Sequence, residues 1–331
     1  ATSCRSRYLG LIIPFVLIVY LPRLRSTRSL FLQNPHPAMN RRDFLHTAAL
    51  LGASLPAFAQ TQTAPKRKIL KGIMWGTVGV PGSVMQKMEA VKAAGFDGVE
   101  PMGGMDNAEM NAALKATGLK AGSVCCHTHW AKPLSDPNPA VREVGVEGLK
   151  LSLRDAKAYG APAVLLVPAV VNASISYADA YTRSQAEIRK VVPLAEELGV
   201  KIAIENVWNN FLLSPLEAAR YIDEFKSPMV GWHLDVGNLI HYGWPEQWVR
   251  ILGKRIATLH IKEYSRTKSD KQGKWAGFDA EFLKGDNNWP AVMKAIDEIG
   301  YHGWGIAEQG GAGSPEGLKK LSTEMDQIFA S

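Results

Sequence analysis

From residue 68 onward, short β-rich runs alternate eight times with amphipathic helical stretches. The runs are KGIMWGTV (71–78), FDGVEPM (96–102), LKAGSVCCHT (119–128), PAVLLVPA (162–169), VKIAIENV (200–207), MVGWHLDVG (229–237), RIATLHIKEY (255–264) and GWGIAEQ (303–309). Eight strand–helix units in about 260 residues predict a (β/α)8 TIM barrel, an α/β fold with parallel strands inside and helices outside. Gly95, Gly118, Gly160, Gly199 and Gly300 fall just past helical patterns, where glycine relieves the left-handed C-cap. Ser214-Pro215 and Ser314-Pro315 each pair a capping hydroxyl with a proline at the first helical position. The competing arrangement is an open doubly wound sheet, but no G-x-G-x-x-G follows the first strand.

The chain has 331 residues, more than one such barrel needs, and the excess lies at the front. Met39–Gln60 reads MNRRDFLHTAALLGASLPAFAQ: a twin arginine (Arg41, Arg42), an apolar stretch, then Ala57-Phe58-Ala59. This is the layout of a twin-arginine export signal, with cleavage expected after Ala59. An uncleaved N-terminal anchor is the alternative, but the apolar stretch is short of the ~20 residues of a spanning helix. Residues 1–38 do not begin with Met and read as translated upstream sequence, with the start expected at Met39. The expected organisation is therefore 1–38 upstream, 39–59 leader and 60–331 a single catalytic barrel. The expected location is periplasmic or secreted, without stable membrane association after cleavage.

The formal charge of +7 points first to an anionic partner. Seven arginines and one acid, Asp43, lie in residues 1–59, so the remainder is close to neutral. A nucleic-acid partner is not expected of it. Cys4 lies upstream, and the adjacent Cys125 and Cys126 sit in one predicted strand with side chains on opposite faces. They read as buried thiols rather than a disulfide.

Chemistry in such a barrel belongs at the C-terminal strand ends. Four consecutive strands end in a metal-compatible side chain: Glu205 in IAIEN, Asp235 in HLDVGN, His260 in TLHIKE and Glu308 in GIAEQG. The pleat then turns Ala203, His233 and Thr258 inward as well. Taken singly, each is as easily a helix cap or the partner of a lysine. Taken together, three carboxylates and one imidazole form a mostly oxygen donor set. That set suits Mn²⁺ ahead of Mg²⁺ or Co²⁺, and suits structural zinc poorly.

These motifs carry a resemblance. AIENVWNNFLLSP (203–215), DVGN (235–238), LGKRIATLHIKEY (252–264) and GDNNWPAVMKAIDEIGYHGWGIAEQ (285–309) resemble the xylose isomerase-like barrels. That family includes D-tagatose 3-epimerase, L-ribulose-5-phosphate 3-epimerase and hydroxypyruvate isomerase, with endonuclease IV more distant. The resemblance covers about residues 68–330. It implies a divalent metal held by Glu205, Asp235, His260 and Glu308, with Glu205 and Glu308 as the catalytic pair. Many members have His three residues after the metal aspartate. Here that position is Asn238, as in the ribulose-phosphate epimerase branch, and the further ligands of a three-metal nuclease site are missing.

The implied reaction removes a proton next to a carbonyl, giving an enediolate that a Lewis acid stabilises. Two carboxylates then allow removal on one face and return on the other. The expected activity is isomerisation or epimerisation of a ketose or related sugar. The alternative is a lyase or dehydratase acting on a keto-sugar or 3-keto-glycoside through the same enediolate. A sugar-binding protein that kept the barrel is the third reading, disfavoured by the intact donor set. Export and the lack of a Gly-rich phosphate cradle favour a neutral sugar. Substrate contacts are expected from Glu100, His127, His129, Trp208, His233, Asn238, Lys262 and Arg266, each of which could equally be structural. Trp75 and Trp130 also lie near strand ends and are as easily packing as sugar platforms. Segment 265–287 is polar and Lys-rich without a strong period and reads as a plain surface loop, with a lid as the alternative. Homo-oligomerisation is left open.

Overall fold

The computed structural model describes residues 67–331; the leader, its cleavage site, the upstream segment and Cys4 lie outside the described residues. Nine parallel segments form the sheet: β1 (Ile69–Met74), β2 (Gly98–Glu100), β3 (Lys120–Ala121), β4 (Val124–Cys125), β5 (Ala163–Leu166), β6 (Lys201–Glu205), β7 (Val230–Asp235), β8 (Ile256–Ile261) and β9 (Gly303–Ala307). Their order is β3-β2-β1-β9-β8-β7-β6-β5-β4. The two outermost segments, β3 and β4, are consecutive pieces of the third predicted strand. The ring closes through them: Gly122 N–H donates to the Val99 carbonyl, Cys125 N–H to Pro101, and Cys126 N–H to Leu165. The eight-strand barrel therefore stands, with its third strand broken at Gly122-Ser123.

An indole crowds the backbone at the break. Trp304, on β9, is buried at the barrel floor. A Cβ added at Gly98 would lie 2.7 Å from the Trp304 ring, and one at Gly122 2.9 Å from it. Only glycine lets β2 and the third strand approach an indole that closely. Ile306, two residues further along β9, fills the next layer against Gly72. Glu308 continues the same alternation out of the floor and into the upper mouth.

The helices are α1 (Val84–Ala94), α2 (Asn107–Thr117), α3 (Pro139–Tyr159), α4 (Tyr177–Leu198), α5 (Pro215–Asp223), α6 (Val236–Ile240), α7 (Pro245–Leu252), α8 (Arg266–Gln272), α9 (Trp289–Glu298) and α10 (Pro315–Ala330). Glycines 95, 118, 160 and 199 close α1 to α4 in the left-handed conformation. Ser214 and Ser314 cap α5 and α10 by accepting from the Glu217 and Gly317 N–H groups. No helix among the described residues is long and apolar enough to cross a membrane.

Segment 265–287, expected as a plain surface loop, instead carries α8 followed by a 3-10 turn, Lys274–Asp279. The order comes from tertiary contacts. Tyr264 Oη donates to the Lys274 carbonyl at 2.9 Å, and Ser265 N–H to Gly277 at 2.8 Å. The buried Glu263 carboxylate accepts from the Leu283 and Asn287 N–H groups and the Trp289 indole. Cys125 and Cys126 are buried free thiols, as expected.

Candidate metal centre

The strand ends of β6, β7, β8 and β9 bring Glu205, Asp235, His260 and Glu308 together. Their ligand atoms all lie within 4.8 Å of one another. His260 is the hub: its Nδ1 is 3.0 Å from Glu308 Oε2, 3.5 Å from Glu205 Oε1 and 3.9 Å from Asp235 Oδ2. His260 and Asp235 are fully buried, and Glu308 is the most open of the four.

Two of the four donor atoms are left free for a reason. Asp235 caps α6, its Oδ1 accepting from Asn238 N–H at 2.8 Å, so Oδ2 faces the cluster. Helix capping and a place in the cluster thus coexist in one carboxylate. On His260, Nε2 lies 2.9 Å from Glu100 Oε2, and the Ser123 hydroxyl donates to the other Glu100 oxygen. With Nε2–H engaged by a carboxylate, the neutral imidazole presents the Nδ1 lone pair to the cluster. His260 Nδ1 and Asp235 Oδ2 are both buried without a hydrogen-bond partner. Two such orphans aimed at one point are costly unless a ligand satisfies them. Three oxygen donors and one nitrogen fit a hard divalent cation.

The electrostatics agree with that crowding. Burial pushes Asp235 up to about 8 and raises Glu205. For Glu308, burial alone would act upward, but Lys262 and His260 hold it well below the usual carboxylate range. Burial would depress His260, yet Glu100 and the neighbouring glutamates raise it. Lys262 is also raised: against its own burial stand Asp235 at 3.6 Å and Glu308 at 3.0 Å.

The other expected contact residues divide into three groups. Lys262 reaches the cluster itself. Glu100 and His233 lie beneath it: the His233 ring stacks edge-on against His260 with centroids 4.1 Å apart, and its Nδ1 is 2.6 Å from Thr258 Oγ1. Burial holds His233 neutral by driving it well below the usual histidine range. Around the rim, Asn238 donates through Nδ2 to the Asn206 carbonyl, and Trp208 Nε1 donates to the Asn238 carbonyl. His129 is buried, its Nδ1 accepting from Val167 N–H, and burial lowers it to about 4. His127 is exposed beside Gly104, and the Arg266 guanidinium is taken up by the Ile240 and Gly243 carbonyls. Trp75 lies under the Lys87 ammonium, and Trp130 is half exposed.

Sequence reasoning missed Asn206 and Ser123. Asn206 Oδ1 accepts from Asp235 N–H and from Trp232 Nε1, while its Nδ2 donates to the Asp235 carbonyl. It sets the backbone that aims Asp235. Because it directly follows Glu205, the strand alternation turns it away from the barrel axis, so a search for inward residues passes over it. The larger surface cavities offer no guide either. One of about 480 Å³, lined by Lys201, Met229, Lys254 and Tyr301, opens where the strands begin.

Comparison with known proteins locates this arrangement. Residues 88–325 match the family model described as xylose isomerase-like TIM barrel. The chain is 26% identical over 186 residues to the uncharacterized protein MJ1311 of Methanocaldococcus jannaschii, covering 52% of this chain and 60% of that protein. It is 35% identical over 86 residues to a 2-epi-5-epi-valiolone 7-phosphate 2-epimerase of Actinoplanes, covering 26% and 30%. A putative L-ribulose-5-phosphate 3-epimerase, SgbU of Escherichia coli, is 23% identical over 66% of this chain and 80% of its own length. The chain thus spans less than two thirds of the first two relatives. Two solved structures share the fold at 17% identity. A D-psicose 3-epimerase superposes with TM-score 0.65 over 80% of this chain and 100% of its own. The 3-keto-D-glucoside 4-epimerase YcjR of Escherichia coli does so with TM-score 0.66 over 79% and 99%. With a barrel closed through a broken third strand and a family model matched over most of its length, the chain belongs to the xylose isomerase-like TIM barrel family.

Proposed function

We propose that this protein is a divalent-metal-dependent isomerase or epimerase of a ketose or related sugar. The observation that carries the reading is the convergence of three carboxylates and one imidazole on a single point, with two buried donor atoms left unsatisfied. The epimerase names of several relatives support the sugar class. A cation held by Glu205, Asp235, His260 and Glu308, with Mn²⁺ the first choice, would supply Lewis-acid stabilisation of the developing oxyanion. Glu205 and Glu308 enter from β6 and β9, the two ends of a four-strand arc, with Asp235 and His260 between them. From there one carboxylate takes the proton next to the carbonyl and the other returns it. Lys262 keeps Glu308 ionised for that work, and Glu100 keeps His260 in one tautomer.

The twin-arginine leader, read from sequence alone, makes the working compartment periplasmic or secreted and the substrate a neutral sugar. The test is solvent exchange. Mn²⁺-loaded protein incubated with ketoses in D₂O should place deuterium on the carbon next to the carbonyl, seen by NMR, and EDTA should stop it. Glu308→Gln should slow exchange about 10²–10⁴-fold. Release of water or an aglycone would replace this reading with the lyase, and binding without exchange would replace it with a sugar-binding protein.

A further inference from the structure

An aromatic array adjoins the metal centre, and none of the chemistry above uses it. Lys262 Nζ, 3.0 Å from Glu308 Oε2, lies 4.7 Å above the Phe278 ring. Phe278 packs against Trp208 with centroids 4.9 Å apart, and Trp208 packs against Trp275 at 4.8 Å. One side chain, Lys262, therefore separates the carboxylates from a cluster of three mutually packed rings, Phe278, Trp208 and Trp275. Its outer end is open: Trp275 is 63% exposed. A single exposed tryptophan needs no explanation, but one packed at a tilt on two further rings that touch Lys262 of the centre does.

The cluster is also held in place. Gly277 sits so close to Tyr264 that a Cβ there would run into the ring. Lys268 Nζ donates to the Asp279 carbonyl, and Trp208 is anchored by its indole N–H. A rigid aromatic face binds at low entropic cost. Lys274 Nζ lies over the Trp208 and Trp275 rings at 5.4 and 5.2 Å, and its charge disfavours a cationic occupant. What suits it is a neutral ring with an apolar face, polar at its edge.

We propose that the exposed Trp275, backed by Trp208 and Phe278, forms a second subsite that stacks the ring attached to the reacting sugar, so that the substrate is a glycoside rather than a free monosaccharide. This rests on the reading of the metal centre as a sugar site. The occupying ring is either a second sugar or an aryl aglycone.

Two matched ligand pairs test it on the Mn²⁺-loaded full chain by calorimetry: D-fructose against isomaltulose, and D-glucose against 4-nitrophenyl β-D-glucopyranoside. At least one two-ring ligand should bind about five- to tenfold tighter than its one-ring partner. Preference within the first pair assigns a glycosyl ring, and within the second an aryl ring. Trp275→Ala should erase the preference while leaving one-ring and Mn²⁺ affinities unchanged, and Trp275→Phe should keep most of it. Equal affinities within both pairs, an unchanged preference in Trp275→Ala, or tighter binding of D-glucose 6-phosphate than of either glycoside would overturn the subsite. A Trp275-dependent preference in protein that binds no Mn²⁺ would uphold the subsite and remove the metal-dependent reading instead.

Discussion

The two ends of the barrel interior are built from the same strands in opposite ways. At the floor, Trp304 and Ile306 pack against Gly72, Gly98 and Gly122, and large apolar side chains meet bare backbone. At the mouth, Glu100 and Glu308 continue two of those strands and join Glu205, Asp235 and His260 from the ends of β6, β7 and β8; four of the five are essentially buried. The floor gains free energy by removing apolar surface from water. The mouth spends it, since buried charges and unsatisfied donors oppose folding unless they are paired or bind a ligand. A two-residue step along one strand, from Ile306 to Glu308, crosses from stabilising to costly. The barrel tolerates the mouth because the floor is so well packed.

Four measurements would break or sharpen that contrast. The largest effect should come from the floor: Trp304→Ala should cost about 3–5 kcal/mol in urea unfolding. A loss below 1 kcal/mol would mean the floor does not carry the fold. Second is His129, at the rim. Its folded value of about 4 lies below the usual ~6.5. The unfolded state therefore binds the extra proton between those values, and stability present above pH 6.5 is lost as pH falls toward 4. The loss should reach at most about 3 kcal/mol in urea unfolding at pH 4 compared with pH 7, and should shrink in His129→Asn. Third, the mouth should recover its cost when filled. Mn²⁺ at a hundred times its dissociation constant should add about 2.7 kcal/mol, seen as a rise in Tm that Asp235→Asn abolishes. An equal rise in Asp235→Asn would place the ion elsewhere. Fourth, Glu100→Gln should weaken Mn²⁺ binding about 10–100-fold with the fold intact. Unchanged affinity would reduce Glu100 to a buried partner of Ser123.

Much of this was legible beforehand. The eight runs match the strands to within a few residues, because strand alternation and helix punctuation are local properties of the chain. Parity along four strands also picked out Glu205, Asp235, His260 and Glu308 as neighbours, since inward positions at adjacent strand ends must converge in a closed barrel. The Glu100–His260 contact was not legible as a pair. It spans 160 positions and depends on the ring bringing β2 and β8 to face each other across the interior. Asn206 was invisible for the opposite reason, since it points away from the axis and acts through the backbone of the next strand.

Segment 265–287 marks the boundary most clearly. Its composition is polar and without period, and nothing local predicts order. Order arrives from Tyr264 beneath Gly277 and from the Glu263 carboxylate gathering backbone N–H groups. By itself the amino-acid order determined the alternation, the caps and which strand ends bear donor side chains, because each is settled within a few residues of chain. Only the closed barrel decided which donor atoms stay free, which carboxylate holds the histidine and where the aromatic cluster lies. Those depend on distances between elements far apart in sequence.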